Sequence, residues 1–326
     1  MEHVFKPSKY YFTFAPNEPA YHVKPGDTIT APTVDAGGHD SKGDTIPEKM
    51  KHSIPGTKLQ ESNPLTGPFY VEGAENGDTL AVKIIKISLN RRTAYSEVMS
   101  NFGSLTEEAP GRHLLLNEPL ETRIFDWKLN LEKRTGSLDV PRSRLKRVEI
   151  PLHPFLGSIG TAPRSGRVEM SLTPGEYGGN MDCVETKEGS TLYLPVFVQG
   201  GYLAFGDVHA AQGDGEICGV ALETTADVTF KVDVIKGRAI DWPRVEDDEW
   251  IMTLGSSRPL MEAFKIAHYE MIHWLVSEYG FDRWEALQVL SQVGRCRVGN
   301  VVDPNYTVVA KYPKVYLPSK INFKSG

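Results

Sequence analysis

The sequence predicts a mainly β protein that carries a helical hairpin near its C-terminus. Apolar and polar residues alternate in several short runs, the period of strands that bury one face. The chain holds 30 Gly and 22 Pro, many for a helical bundle but natural for short strands joined by turns. Helical periodicity appears clearly only after Ser257.

Residues 79–87 (TLAVKIIKI) read as a half-buried strand entered from the Glu75-Asn76-Gly77-Asp78 turn, and Pro25-Gly26-Asp27 marks an earlier turn. The basic stretch 132–147, with Lys133, Arg134, Arg142, Arg144, Lys146 and Arg147, reads as a solvated hairpin or insertion. Residues 168–173 (VEMSLT) alternate again. Residues 192–198 (LYLPVFV) and 217–222 (ICGVAL) are more continuously apolar, as strands buried on both faces are, with Pro195 marking an edge or bulge. In 228–234 every second residue is apolar. Then Leu260, Phe264, Ala267, Met271 and Leu275 fall on one helical face between Pro259 and Gly280. Asp282 and Glu285 form a D-x-x-E cap for a second helix through Trp284, Leu287, Leu290 and Val293. Without repeats or low-complexity linkers, residues 1–326 are expected to form one domain, β-rich over 1–245, with the hairpin and terminal strands over 255–326.

At 40% hydrophobic and 24% charged residues, the chain has enough apolar material for a core, which excludes wholesale disorder. Its formal charge of −6 argues against a nucleic-acid binder and against a binder of anionic membranes. Cys183, Cys218 and Cys296 sit too far apart for a disulfide framework or a C-x-x-C metal site. No apolar run suits a signal peptide or a membrane span, so the expectation is a cytoplasmic protein with reduced thiols.

The chemistry concentrates between Pro174 and Glu223. PGEYGGNMDC (174–183) is followed by FGDVHAAQGDGE (205–216) and by Glu223, which gathers Asp182, Asp207, His209, Asp214, Glu216 and Glu223. Carboxylate and imidazole donors together suit a divalent cation such as Zn²⁺. On a strand Asp207 and His209 point to the same side, and the flanking glycines let backbone approach a small ligand. GDG and GGN also serve as ordinary turn sequences in which Asp caps its own backbone. Asp35, in the segment TVDAGGH with His39, resembles half of another metal site.

These segments carry a family resemblance. TVDAGG, NPLTGPFYVEGAENGDTL, PLHPFLGSIGTAP, PGEYGGNMD, GDVHAAQGDGE and GFDRWEALQVLSQVG together resemble the acetamidase/formamidase family over nearly the whole chain. The resemblance implies a β-sandwich, hydrolysis of formamide, acetamide or related short amides, and a homo-oligomer. Tyr177 stands where many members have His before Gly-Gly-Asn, so no ligand role carries over to it.

Amide hydrolysis needs a polarised carbonyl, a nucleophile near neutral pH and a proton for the departing nitrogen. The expected arrangement has Asp35, Asp182 and His209 as ligands of a divalent cation, Zn²⁺ first and Ca²⁺ second, with Asp207 orienting His209 or ligating directly. Glu216 and Glu223 compete to shuttle the proton, and Glu223 is preferred because burial at the end of an apolar strand would raise its pKa. Gly178, Gly179 and Asn180 are the expected substrate contacts. The runner-up is a thiol amidase using Cys183, although Asp182 and Cys183 would face opposite ways on a strand. From another class comes a Ca²⁺-dependent sugar-binding sandwich.

Overall fold

The computed structural model describes residues 1–53, 61–99, 102–105 and 121–320. The alternation at 228–234 becomes the strand Ala226–Ile235, with Val228, Phe230 and Val232 buried. It pairs antiparallel with Thr28–Pro32 on one side and Thr79–Leu89 on the other. The same sheet continues through Thr191–Pro195, Arg244–Glu246, Trp250–Ser257 and Tyr306–Pro313 to Arg295–Asn300. A second sheet is built around Leu203–His209, which pairs antiparallel with Phe155–Gly160, Leu65–Val71 and Glu223–Thr224. Leu80, Val82, Leu192 and Phe230 of the first sheet meet Phe69, Leu156, Phe205 and Val208 of the second in one apolar core. Phe230 stands edge-on to both Phe69 and Phe205, at 5.5 and 5.2 Å between ring centres. Two sheets with a shared core make a β-sandwich, as the resemblance implied.

The helical hairpin forms where the sequence placed it. Helix α1 (Leu260–Tyr279) ends at Gly280, whose φ of 72° is the left-handed conformation that closes helices without a side-chain clash. Helix α2 (Arg283–Val293) starts at Asp282, whose Oδ1 accepts from the backbone N of Trp284 at 2.8 Å and of Glu285 at 3.2 Å. Helix α1 packs on the first sheet so closely that a Cβ on Gly255 would stand 2.4 Å from the Ala263 carbonyl oxygen. Only small side chains fit that seam. Ala263 and Ala267 occupy it; farther along α1 Met271, Trp274 and Leu275 are buried in a second cluster, while Phe264 is exposed, contrary to the periodicity. In α2 only Ala286 and Leu290 are buried, and Trp284 and Leu287 are exposed. Beneath α1 the buried Arg244 donates to Glu270 at 2.7 Å.

Three expected strands need correction. Of 168–173 only Glu169–Met170 is extended. The strand from Thr191 stops at Pro195, where the missing N–H falls at the strand's last position. Residues 217–222 form no strand: Glu216 and Gly219 take φ of 49° and 92°, which curls the segment. Its apolar residues instead line an open groove of about 680 Å³ together with Trp127, Ile150 and Phe155. The basic stretch lies in a largely exposed antiparallel meander of Arg123–Asn130, Thr135–Val140 and Lys146–Pro151. No helix among the described residues is long and apolar enough to cross a membrane.

Candidate active site

The Leu203–His209 strand pairs with Phe155–Gly160 at Gly206–Ser158 and again at Val208–Leu156. Between these pairs Asp207 takes a φ of 55° opposite the stretch that contains Gly157. Val208 enters the core, and Asp207 and His209 turn together away from it, as the strand period predicts. His209 Nε2 lies 3.3 Å from Asp207 Oδ1 and 3.2 Å from Glu223 Oε1, because Glu223 is directly paired with His209 on the neighbouring strand. Asp182 enters from the loop after Gly178–Asn180 with a φ of 47°, and Glu216 from the curled segment after His209. Two triplets result, Asp182 with His209 and Glu216, and Asp207 with His209 and Glu223. In each, one donor atom per residue lies within 4.8 Å of the others.

A polar layer supports these groups. Asn180 Nδ2 donates to Asp182 Oδ2 at 3.3 Å and to Asp303 Oδ2 at 2.8 Å, and Asn180 Oδ1 accepts from Asn63 Nδ2 at 3.2 Å and from the Ser158 hydroxyl. Asp182 Oδ1 and Glu223 Oε2 remain buried without a hydrogen-bond partner among the described residues. A Cβ placed on Gly157 would fall 2.6 Å from Asp207 Oδ2 and 2.9 Å from both Asp182 Oδ1 and His209 Cε1. The three residues thus surround a space that glycine keeps open. Lone acceptors, one imidazole and this space fit a divalent cation with mixed oxygen and nitrogen ligands.

The charges agree. Five carboxyl groups, Asp182, Asp207, Glu216, Glu223 and Asp303, are buried around one imidazole, and two like charges 4 Å apart repel by ~4 kcal/mol at an effective dielectric of about 20. Burial, then repulsion from Glu216 and Asp303, pushes Asp182 well above the usual carboxylate range. Burial likewise raises Glu216 well above it, with His209 opposing. Burial lifts Glu223 to about 7 against the pull of His209, and Asp303 to about 8 against its hydrogen bond from Asn180. Burial lowers His209, but Glu223 and Asp207 outweigh it and hold the imidazole well above its ordinary value. Glu216, Glu223 and Asp303, together with Asp207, line a cavity of about 230 Å³ whose wall also includes Asn63, Tyr95, Glu97, Met99 and Phe102, and Asp182 and His209 lie directly behind these carboxylates. The larger groove behind residues 211–222 shares Glu216 and Val220 with it but presents no second set of converging carboxylates.

Asp182, Asp207, His209, Glu216 and Glu223 are therefore brought together, and Asn180 lines the same cavity. Asp35 is not in either triplet. Its Oδ2 accepts from Arg91 at 2.7 Å, and its Oδ1 accepts from the His39 backbone at 2.9 Å and faces His39 Nδ1 at 3.1 Å. Gly178 and Gly179 pack instead of lining the cavity: a Cβ would stand 2.4 Å from the Ile159 carbonyl oxygen at the first and 2.3 Å from that of Thr173 at the second. Tyr177 fills a buried apolar position beside Phe14, with its hydroxyl donated to the Thr173 carbonyl. Cys183 sits in the sandwich core with its thiol against Glu185, and burial pushes that thiol well up. Sequence reasoning missed Asp303, Gln212 and Gly157. Asp303 follows the apolar pair Val301-Val302 in an otherwise bland loop, and only its burial marks it.

The Acetamidase/Formamidase family model matches this chain over residues 14–171 and 168–321. A formamidase of Methylophilus methylotrophus is 27% identical over 264 residues, which cover 66% of this chain and 61% of that protein. The chain thus spans less than two thirds of that relative's length. An acetamidase crystal structure from Yersinia enterocolitica is 36% identical with a TM-score of 0.83, covering 98% of this chain and 94% of that one. One from Bacillus halodurans is 32% identical with a TM-score of 0.79, covering 96% of this chain and 98% of that one. With the family's segments present from end to end and its sandwich reproduced, the chain belongs to the acetamidase/formamidase family.

Proposed function

We propose that the protein hydrolyses a short aliphatic amide, formamide, acetamide or similar, to the carboxylate and ammonia. The observation that carries this reading is a 230 Å³ cavity lined by the buried Asp207, Glu216, Glu223 and Asp303, with the His209 imidazole grouped against three of the same carboxylates. That volume lies below the range of drug-sized sites and suits a substrate of a few heavy atoms. Asp182, His209 and Glu216, with Asp207 and Glu223, would hold a divalent cation, Zn²⁺ first. Such a cation, when bound, supplies positive charge to the amide oxygen and makes water more acidic.

The chain's own groups do the rest. Glu223 Oε1 is anchored by the backbone N of Ala221 at 3.2 Å, while Oε2 has no hydrogen-bond partner among the described residues. A carboxyl lifted to about 7 can take a proton from water and pass it to the leaving nitrogen. Tyr95 lines the same cavity, and burial with the negative charge of Glu223 keeps its hydroxyl protonated as a donor to substrate. Asn180 holds Asp182 and Asp303 in place through its two N–H groups. The reading includes a cytoplasmic homo-oligomer. Ammonia release from formamide, acetamide, propionamide and urea, with and without a chelator, tests the reading. Turnover of the shortest amides that chelation abolishes is expected. No ammonia from any of them, or full activity in metal-free protein, overturns it.

A further inference from the structure

Gln212 lies beside the cavity, three residues after His209, and its hydrogen bonds admit one arrangement. Its Nε2 donates to the Asp182 carbonyl at 3.1 Å and to the Gly299 carbonyl at 3.0 Å. Both amide hydrogens are thereby used, so the opposite atom, Oε1, is an acceptor by elimination. That oxygen is 2.8 Å from His209 Nδ1, so the imidazole must donate from Nδ1. A neutral imidazole that carries its proton on Nδ1 has its lone pair on Nε2, the atom facing Asp207 Oδ1 and Glu223 Oε1. Three lone-pair donors then converge on one point. An imidazole free to choose would place its proton on Nε2, bond both carboxylates and close the point to a cation.

The geometry points to Gln212 as the residue that fixes the tautomer of the neutral His209 imidazole, so that Nε2 and not Nδ1 is the atom offered to a cation, an inference that rests on the metal-dependent reading above. Gln212 is a positioning residue. It touches neither the cation position nor the substrate cavity, and it acts through the imidazole. The same side chain binds the segment that carries Asp182 to the Arg295–Asn300 strand. These approach closely enough that a Cβ on Gly299 would stand 2.7 Å from the Met181 carbonyl oxygen. A purely structural tie would need only the two donors, whereas a tautomer lock needs the acceptor.

Zinc affinity by competitive chelator titration and the histidine ¹⁵N–¹H spectrum of the zinc-loaded protein separate the two roles. The wild-type spectrum should place the His209 proton on Nδ1, protected from exchange, with Nε2 unprotonated. Gln212→Leu should weaken zinc binding by ~10–100-fold, the usual effect of losing a partner of a metal-ligating histidine. Gln212→Glu keeps the acceptor and loses the donors, and it should restore most of the affinity together with the Nδ1 proton. Equal weakness in both variants, wild-type affinity in Gln212→Leu, or a His209 proton on Nε2 in the zinc-loaded wild type overturns the inference while leaving the amidase reading intact. A wild-type protein that binds no zinc overturns both. Should Gln212→Leu fail to fold, the wild-type spectrum and Gln212→Glu still decide.

Discussion

Gly157→Ala puts one methyl group into the space that Asp182, Asp207 and His209 surround. Gly157 has no left-handed φ, so alanine meets no backbone penalty. The new Cβ would stand 2.6 Å from Asp207 Oδ2, where ordinary contact begins near 3.4 Å, and 2.9 Å from Asp182 Oδ1 and His209 Cε1. Asp207 must retreat by about 0.8 Å, and the other two by about 0.5 Å. Metal ligand distances tolerate only ~0.2 Å, and a misplacement near 1 Å costs about 10²-fold in rate. We expect zinc affinity to fall by roughly 10–100-fold and kcat for the best amide by about 10²-fold even at saturating zinc. Overpacking should cost ~1–3 kcal/mol of stability, which a thermal melt measures separately. A folded Gly157→Ala protein with wild-type zinc affinity and wild-type ammonia release would refute the assignment of this space to a cation.

Glu223→Gln keeps an oxygen beside His209, so it should keep most of its zinc and lose ~10²–10⁴-fold in kcat, the worth of positioned acid–base catalysis; zinc content near zero would instead make the Glu223 carboxylate indispensable to the cation and pass the proton to Glu216. Cys183→Ala should retain most turnover and lose only some thermal stability through a small core cavity. Loss beyond about a thousandfold with the fold intact would revive the thiol mechanism. Arg244→Ala strands the buried Glu270 beneath α1, so denaturant unfolding should report ~3–5 kcal/mol lost; a shift below 1 kcal/mol would mean that Glu270 finds another partner.

The sequence carried the sandwich through features that are local in the chain. The alternation at 228–234, the Asp282 cap and the Gly280 terminator each act within a few residues, and each appears where it was read. The outward turn of Phe264 is different, because it depends on Gly255 of another element letting α1 approach. Residues 217–222 look like a buried strand by hydrophobicity, yet the positive φ of Glu216 and Gly219 decides their path. Within the site, Asp182, Asp207, His209, Glu216 and Glu223 were legible because they cluster in sequence. Asp303 and Gly157 come from distant segments, and Gln212 was hidden inside a motif whose glycines and acids drew the attention. Asp35 was misleading for a physical reason: a buried aspartate near a histidine has the composition of a metal site, but Arg91 already neutralises it.

The backbone gives independent support to the placement of the site. A side chain other than glycine at positive φ is uncommon and stores strain where the surroundings impose it. Asp182, Asp207 and Glu216 all adopt that conformation, at 47°, 55° and 49°, and all three are candidate ligands buried among like charges. Neither feature helps the fold. Strain of about 1 kcal/mol or more at each position and mutual repulsion of the carboxylates both oppose it, and a chain selected for stability alone would have glycine or an amide there. Replacing the carboxylates would relieve the repulsion at the expense of the acceptors grouped around His209. A bound divalent cation reverses the sign of the second term, since the same carboxylates then become attractive partners. The metal-dependent reading thus accounts for the strain and the crowding together, with residues that one strand and two loops aim at the space beside Gly157.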